Sequence, residues 1–133
     1  ITGLACKGDA ADDVIGLAAG GAAYLYRNVV ADNGIIFKMT VQCLELPTQG
    51  TATITTDIDM AWNTSAVLAY DGAAGTSELN MATLVAGETF EVNVPALTAN
   101  DYLYLTEGDA AATTGVYSGG QYVITLYGMH ILA

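Results

Sequence analysis

The sequence predicts an all-β protein, an antiparallel β-sandwich with one set of side chains buried between two sheets. Three observations carry that expectation. Apolar and polar residues alternate with a period of two through several runs, as they do in strands with one buried face. Turn-forming clusters of Gly, Pro, Asp and Asn separate the runs. No window longer than ~10 residues shows the 3.6-residue period of a packed helix. At 133 residues the chain is one domain by length, large enough to bury a core of its own.

The elements follow in order. Residues 1–21, beginning ITGLACKGDAADD, lack clean alternation and carry acids and glycines. They are expected to form an extended N-terminal arm, with the sandwich domain over residues 22–133. AAYLYRNVV (residues 22–30) reads as the first strand. In IFKMTVQCLEL (residues 36–46) Phe37, Met39, Val41 and Cys43 point one way and Lys38, Thr40 and Gln42 the other. GTATITTDID follows Pro47, a run of β-branched residues with small polar partners. AVLAY (residues 66–70) ends at the turn dipeptide Asp71-Gly72. ETFEVNV (residues 88–94) alternates and stops at Pro95; DYLYLT and QYVITLYGMHIL complete the set. SELNMATLV (residues 77–85) is at most a short helical turn. About eight short strands in this length suit a jelly roll, two antiparallel sheets packed face to face. An immunoglobulin-like sandwich is the poorer match, because Trp62 follows both cysteines rather than lying between them.

Composition narrows the partners. Fourteen acids stand against three basic residues, a net charge of −11. A nucleic-acid groove gains affinity by releasing counterions from Lys and Arg contacts, so no direct nucleic-acid binding is expected. Anionic membranes repel such a chain, and no apolar run reaches the ~18 residues of a membrane helix. The longest, VIGLAAGGAAYLY, follows Asp12 and Asp13 and does not read as a secretory leader. Only 13% of residues are charged and 53% are hydrophobic. A monomer is hard to cover with so few charges, which points to apolar surface buried between subunits. Cys6 and Cys43 are expected to be free, buried thiols, although one disulfide is open to them.

No constellation announces catalysis. The chain has no G-x-S-x-G, H-E-x-x-H or C-x-x-C pattern. His130 is the single histidine; acid–base work would need a partner from another strand, such as Asp101 or Glu107. Asp57, Asp59 and Asn63 could supply oxygen ligands to Ca²⁺, but Ala61 and Trp62 stand where an EF-hand needs a ligand and Gly. The reading is therefore no enzyme, no cofactor and no metal. Tyr24, Tyr26, Tyr102, Tyr104, Tyr117, Tyr122 and Tyr127 could line a carbohydrate-binding face; in strands they more often fill a sandwich edge or an interface. Asn63-Thr64-Ser65 matches the glycosylation triplet, a pattern that is common by chance.

The stretches GTATITTDID, VAGETFEVNVPA and GGQYVITLYG, together with low charge and acidic balance, resemble the small jelly-roll head decoration (cement) proteins of tailed bacteriophages. That resemblance implies a non-enzymatic homotrimer on the outer capsid surface of the virion, with the major capsid protein as partner, clamping neighbouring capsomers. Another virion jelly roll (a tail, spike or small coat protein) and a carbohydrate-binding sandwich are the alternatives. The last sixteen residues, SGGQYVITLYGMHILA, contain no charged side chain. Tyr122, Ile124 and Leu126 share one face of that strand, and Val123, Thr125 and Tyr127 the other. Both faces are largely apolar, so one is expected in the core and the other under a second cover. Val123, Tyr127, His130 and Ile131 are the expected interface.

Overall fold

The computed structural model describes residues 1–7, 10–50, 54–75, 79–81, 85–108 and 114–130. Alternation is realised most fully in two long strands, β3 (Ile35–Gln49) and β7 (Gly115–Met129), which pair antiparallel along most of their length. Around them lie β1 (Ala5–Cys6), β2 (Tyr26–Arg27), β4 (Ile58–Asn63), β5 (Thr89–Asn93) and β6 (Tyr102–Glu107). The sheets run β1-β7-β3-β5 and β2-β6-β4, with every pair antiparallel. Pairing is nested: first with last, second with sixth, third with fifth. At the centre of the nest Leu79 bridges Met60 through backbone bonds of 3.2 and 3.3 Å. This is jelly-roll connectivity in seven strands, one fewer than the alternation suggested.

Met39, Val41 and Cys43 of β3 face Ile58 and Met60 of β4 and Leu103 and Leu105 of β6 between the sheets. Tyr122, Ile124 and Leu126 of β7 pack against them, as the terminal alternation predicted. A second cluster lies on the far side of the three-stranded sheet, where Tyr102, Tyr104 and Ala61 meet Val14 and Ala74. Thus β6 is buried on both faces. Loops cover the outside of the smaller sheet, while the outside of the larger sheet is left open.

Four local expectations change. Of the segment 1–21 expected as an arm, the described residues 5, 6 and 13–16 lie in the body of the sandwich. Cys6 and Ile15 lie in the main core and Val14 in the second cluster, and Ala5–Cys6 pairs with β7. The buried residues come as two short consecutive runs, 5–6 and 13–16, without a period of two, which is why no alternation announced them. AVLAY forms no strand. Asn63 Oδ1 accepts the Ser65 amide at 2.7 Å and Tyr104 Oη donates to the Ser65 carbonyl at 2.6 Å, holding the backbone in a loop. The strand expected over 22–30 shrinks to β2, because 30–33 close into a one-turn helix, α1 (Val30–Asn33). Asn33 Oδ1 accepts the Val29 amide at 3.0 Å, and Gly34 ends the turn at φ +69. A Cβ there would sit 2.4 Å from the Met129 carbonyl oxygen, so only Gly lets α1 lie against the end of β7. The fourth change is in β3, where a bulge between Ile36 and Lys38 buries Ile36 and turns Phe37 outward.

The Asp71-Gly72 turn forms as expected, with Asp71 at φ +69. Of SELNMATLV, Leu79 among the described residues 79–81 makes a bridge to β4, and the Val85 carbonyl accepts the Glu88 amide; residues 77, 78 and 82–84 lie outside the described residues.

Candidate interaction surface

The open face of the four-stranded sheet is a grid set by register. Val123, Gln42 and Thr89 form one row across β7, β3 and β5; Thr125, Thr40 and Glu91 form the next; Tyr127, Lys38 and Asn93 form the third. Val123 and Tyr127 are 45% and 41% exposed. They share the face but stand two rows apart, roughly 13 Å along the strand. Lys38 organises the third row: its Nζ lies 2.6 Å from Glu91 Oε2 and 5.1 Å from the centre of the Tyr127 ring. The ammonium is held by a carboxylate on one side and the ring quadrupole on the other, so the Tyr127 ring is anchored while one side stays open.

Beyond that row the sheet ends in an apolar patch. Ile35 pairs with Met129, and both are exposed, as are the bulged Phe37 and Val30 of α1. His130 sits at its edge, Nε2 3.2 Å from the Ala31 carbonyl, as a donor when that nitrogen carries the proton. Tyr127 and His130 therefore belong to this end of the sheet, and Val123 lies apart from it. Ile131 lies outside the described residues. Sequence reasoning missed Ile35, Phe37 and Met129. Strict alternation put Phe37 in the core, and only a bulge, which leaves no mark in the pattern, brings it out.

The other candidates resolve into structural roles. Asp101 accepts the Thr98 amide at 2.5 Å and the Thr98 hydroxyl at 2.6 Å, capping the turn into β6. Glu107 is fully buried at the end of β6, its Oε1 accepting the Lys7 amide at 2.7 Å. His130 instead meets a main-chain carbonyl, that of Ala31. Asp59 is 2% exposed and accepts the Met81 amide at 2.7 Å, tying 79–81 to β4. Among the described residues no three His, Cys, Asp or Glu side chains gather in a metal-holding group. Cys6 and Cys43 are both buried thiols, with no disulfide between them. Burial raises both thiol pKa values, and the Glu107 carboxylate near Cys6 adds to the rise there.

The aromatic residues do not form a platform. Tyr102, Tyr104 and Tyr117 are buried, Tyr24 is tilted 60° to Tyr102, and Tyr26 meets Trp62 edge-on at 88°. Asn63 donates to the Ala74 carbonyl and accepts from Ser65, so both ends of its amide are engaged. Compared with known proteins, the chain matches no family model, no curated protein and no solved structure.

Proposed function

We propose that this is a non-enzymatic virion structural protein, a capsid decoration protein. In this reading it binds the outer head surface as a homotrimer, contacts the major capsid protein and stabilises capsomer junctions. The observation that carries the reading is the open face of the larger sheet. One face of the sandwich is closed by its own loops, while the other ends in Ile35, Phe37, Tyr127 and Met129, exposed on a chain of net charge −11. Apolar side chains gathered at one end of a sheet suit contact with other subunits, and the acidity elsewhere keeps the outer surface soluble and away from packaged nucleic acid. Jelly-roll connectivity is common among virion proteins and adds support by analogy alone.

The test is assembly. Purified protein is sized by light scattering and then mixed with preformed heads lacking their outer proteins. The reading expects a mass three times that of the chain and saturable addition to the heads. A monomer that ignores heads and binds a glycan array would overturn it in favour of a carbohydrate-binding module.

A further inference from the structure

Among the described residues, one edge of β7 is unpaired over most of its length. Cys43 exchanges backbone bonds with Gly87 and Glu88 on the β5 side. By the alternation of an antiparallel strand, Thr40 and Gln42 face β7 and bond Thr125 and Val123. The N–H and C=O groups of Tyr122, Ile124 and Leu126 therefore point away from β3, toward the sheet edge. The N-terminal segment covers that edge only at its beginning: Tyr117 bonds Gly3 and Leu4, and the Ile1 amino group donates to the Gly120 carbonyl at 2.6 Å. Among the described residues no strand pairs with the edge from Tyr122 to Met129.

A cleft opens at the same place. It has a volume of about 530 Å³ and runs between the sheets, walled by Leu4, Leu25, Met60, Leu105, Tyr122 and Ile124. The Tyr122 hydroxyl is buried with no hydrogen-bond partner. A row of free main-chain groups beside an apolar slot has the two parts that strand addition needs, one for the backbone and one for alternate side chains. Nothing guards the edge: β7 has no charged residue and no Pro.

We propose that this edge and cleft receive an extended segment of a partner protein, apolar at alternate residues and flanked by Lys or Arg. The segment runs antiparallel to β7 and continues the line of residues 1–6. Two observations choose this occupant over a second copy of β7. The inward side chains of β7 already pack in their own core and cannot enter a neighbour's cleft. A second copy would also bring another −11 charges, whereas basic flanks complement the chain and Glu45 at the cleft wall. The inference does not depend on the virion reading, since any jelly roll with this edge offers the same slot.

The probe is a synthetic peptide, Lys-Val-Thr-Val-Thr-Val-Thr-Val-Lys, with a Glu-flanked twin and a version carrying Pro at alternate positions. Amide hydrogen exchange is read at Tyr122, Ile124 and Leu126. These amides are expected to exchange freely in the protein alone and to slow at least tenfold with the Lys-flanked peptide. The Pro version is expected to have no effect, and the Glu version to bind at least tenfold more weakly. Leu25→Asp, a half-exposed residue at the cleft, should weaken the peptide tenfold at an unchanged melting temperature. If that variant misfolds, exchange in the unaltered protein still decides. No slowing at saturating peptide overturns the proposal. Equal binding of both flanked peptides overturns the basic chemistry assigned to the partner. Amides already protected in a peptide-free dimer would show that a second copy is the occupant.

Discussion

Deleting residues 1–7 separates a free arm from a piece of the core. Cys6 is fully buried and Ala5 nearly so, and Ile1 and Leu4 pack against the main cluster. Fully burying an aliphatic side chain contributes ~1.5–3 kcal/mol, so two partly buried ones and Cys6 together contribute on the order of 3–4 kcal/mol. The deletion also removes the Lys7 amide from Glu107 Oε1. Leaving a fully buried carboxylate short of a donor costs about 1–3 kcal/mol more. The Lys7–Asp71 ion pair, 2.7 Å apart but with both side chains about a third exposed, adds little. A loss of roughly 5 kcal/mol is a large share of the ~5–15 kcal/mol that stabilises a domain.

At about 3 °C per kcal/mol for a chain of this length, the truncated protein should melt some 15 °C lower. Circular dichroism or differential scanning calorimetry at one protein concentration measures it, and urea denaturation checks the free energy. If the truncated chain melts within about 3 °C of the full one, residues 1–7 are a dispensable arm and the burial argument fails.

Four further outcomes follow from contacts elsewhere in the fold and from the thiols. Cys6 and Cys43 should resist a thiol reagent in the native state and both react on unfolding; rapid native labelling of either contradicts its burial. Their raised pKa values set a sign: the unfolded chain loses these protons near 9.0 while the folded chain keeps them. Stability is therefore complete below that pH and falls above it by up to ~1.4 kcal/mol per pH unit for each thiol. Alanine at both positions should flatten the alkaline limb of a melting-temperature profile, and an unchanged limb would refute the linkage. Asp59→Ala removes the acceptor of the Met81 amide and should cost ~1–3 kcal/mol, equally with and without a chelator; a loss seen only without chelator would revive a metal role. Tyr127→Asp should break up the proposed trimer, read by light scattering, while the melting curve of the sandwich persists; a trimer that survives puts the interface elsewhere.

Where the sequence was legible, one face of a strand was wet and the other dry. β3, β5 and β7 obey that rule, and the inward set of β7 was readable residue by residue. β6 was readable as a strand for a different reason: its aromatic and branched residues are buried on both sides. Legibility failed where local polar groups redirected the backbone. Asn63, Ser65 and Asn33 bond their own neighbourhoods: AVLAY leaves the sheets although it holds Val and Tyr, and VADN, with Val alone as a strand former, closes into a turn. It failed again at Phe37, because a bulge shifts the phase of alternation by one residue and inverts which side chain is outside. The surroundings of the residues expected at an interface were only partly legible for the same reason. Tyr127 stands where alternation put it, but its apolar neighbours come from a bulge and a one-turn helix.

The two shortest strands explain why one side of the sandwich is open. Nested pairing assigns β1 to cover β7 and β2 to cover β6, so the cover of that whole side depends on the first thirty residues. Those residues are rich in Gly and Ala, which lose more entropy than they return by packing when fixed in a strand. As strands, β1 and β2 each span two residues, with a few backbone bonds beyond them. β6 has a second cover, since its outer face is buried under Val14, Ala74 and the loop around Leu68. Among the described residues β7 has none beyond Gly120, and its inner residues Tyr122 and Ile124 line the gap. The weakness of the early strands thus falls on one sheet edge, and that edge belongs to a fifteen-residue strand with no charged side chain. An uncharged edge over an apolar slot is costly to leave in water, and stable once another chain lies along it.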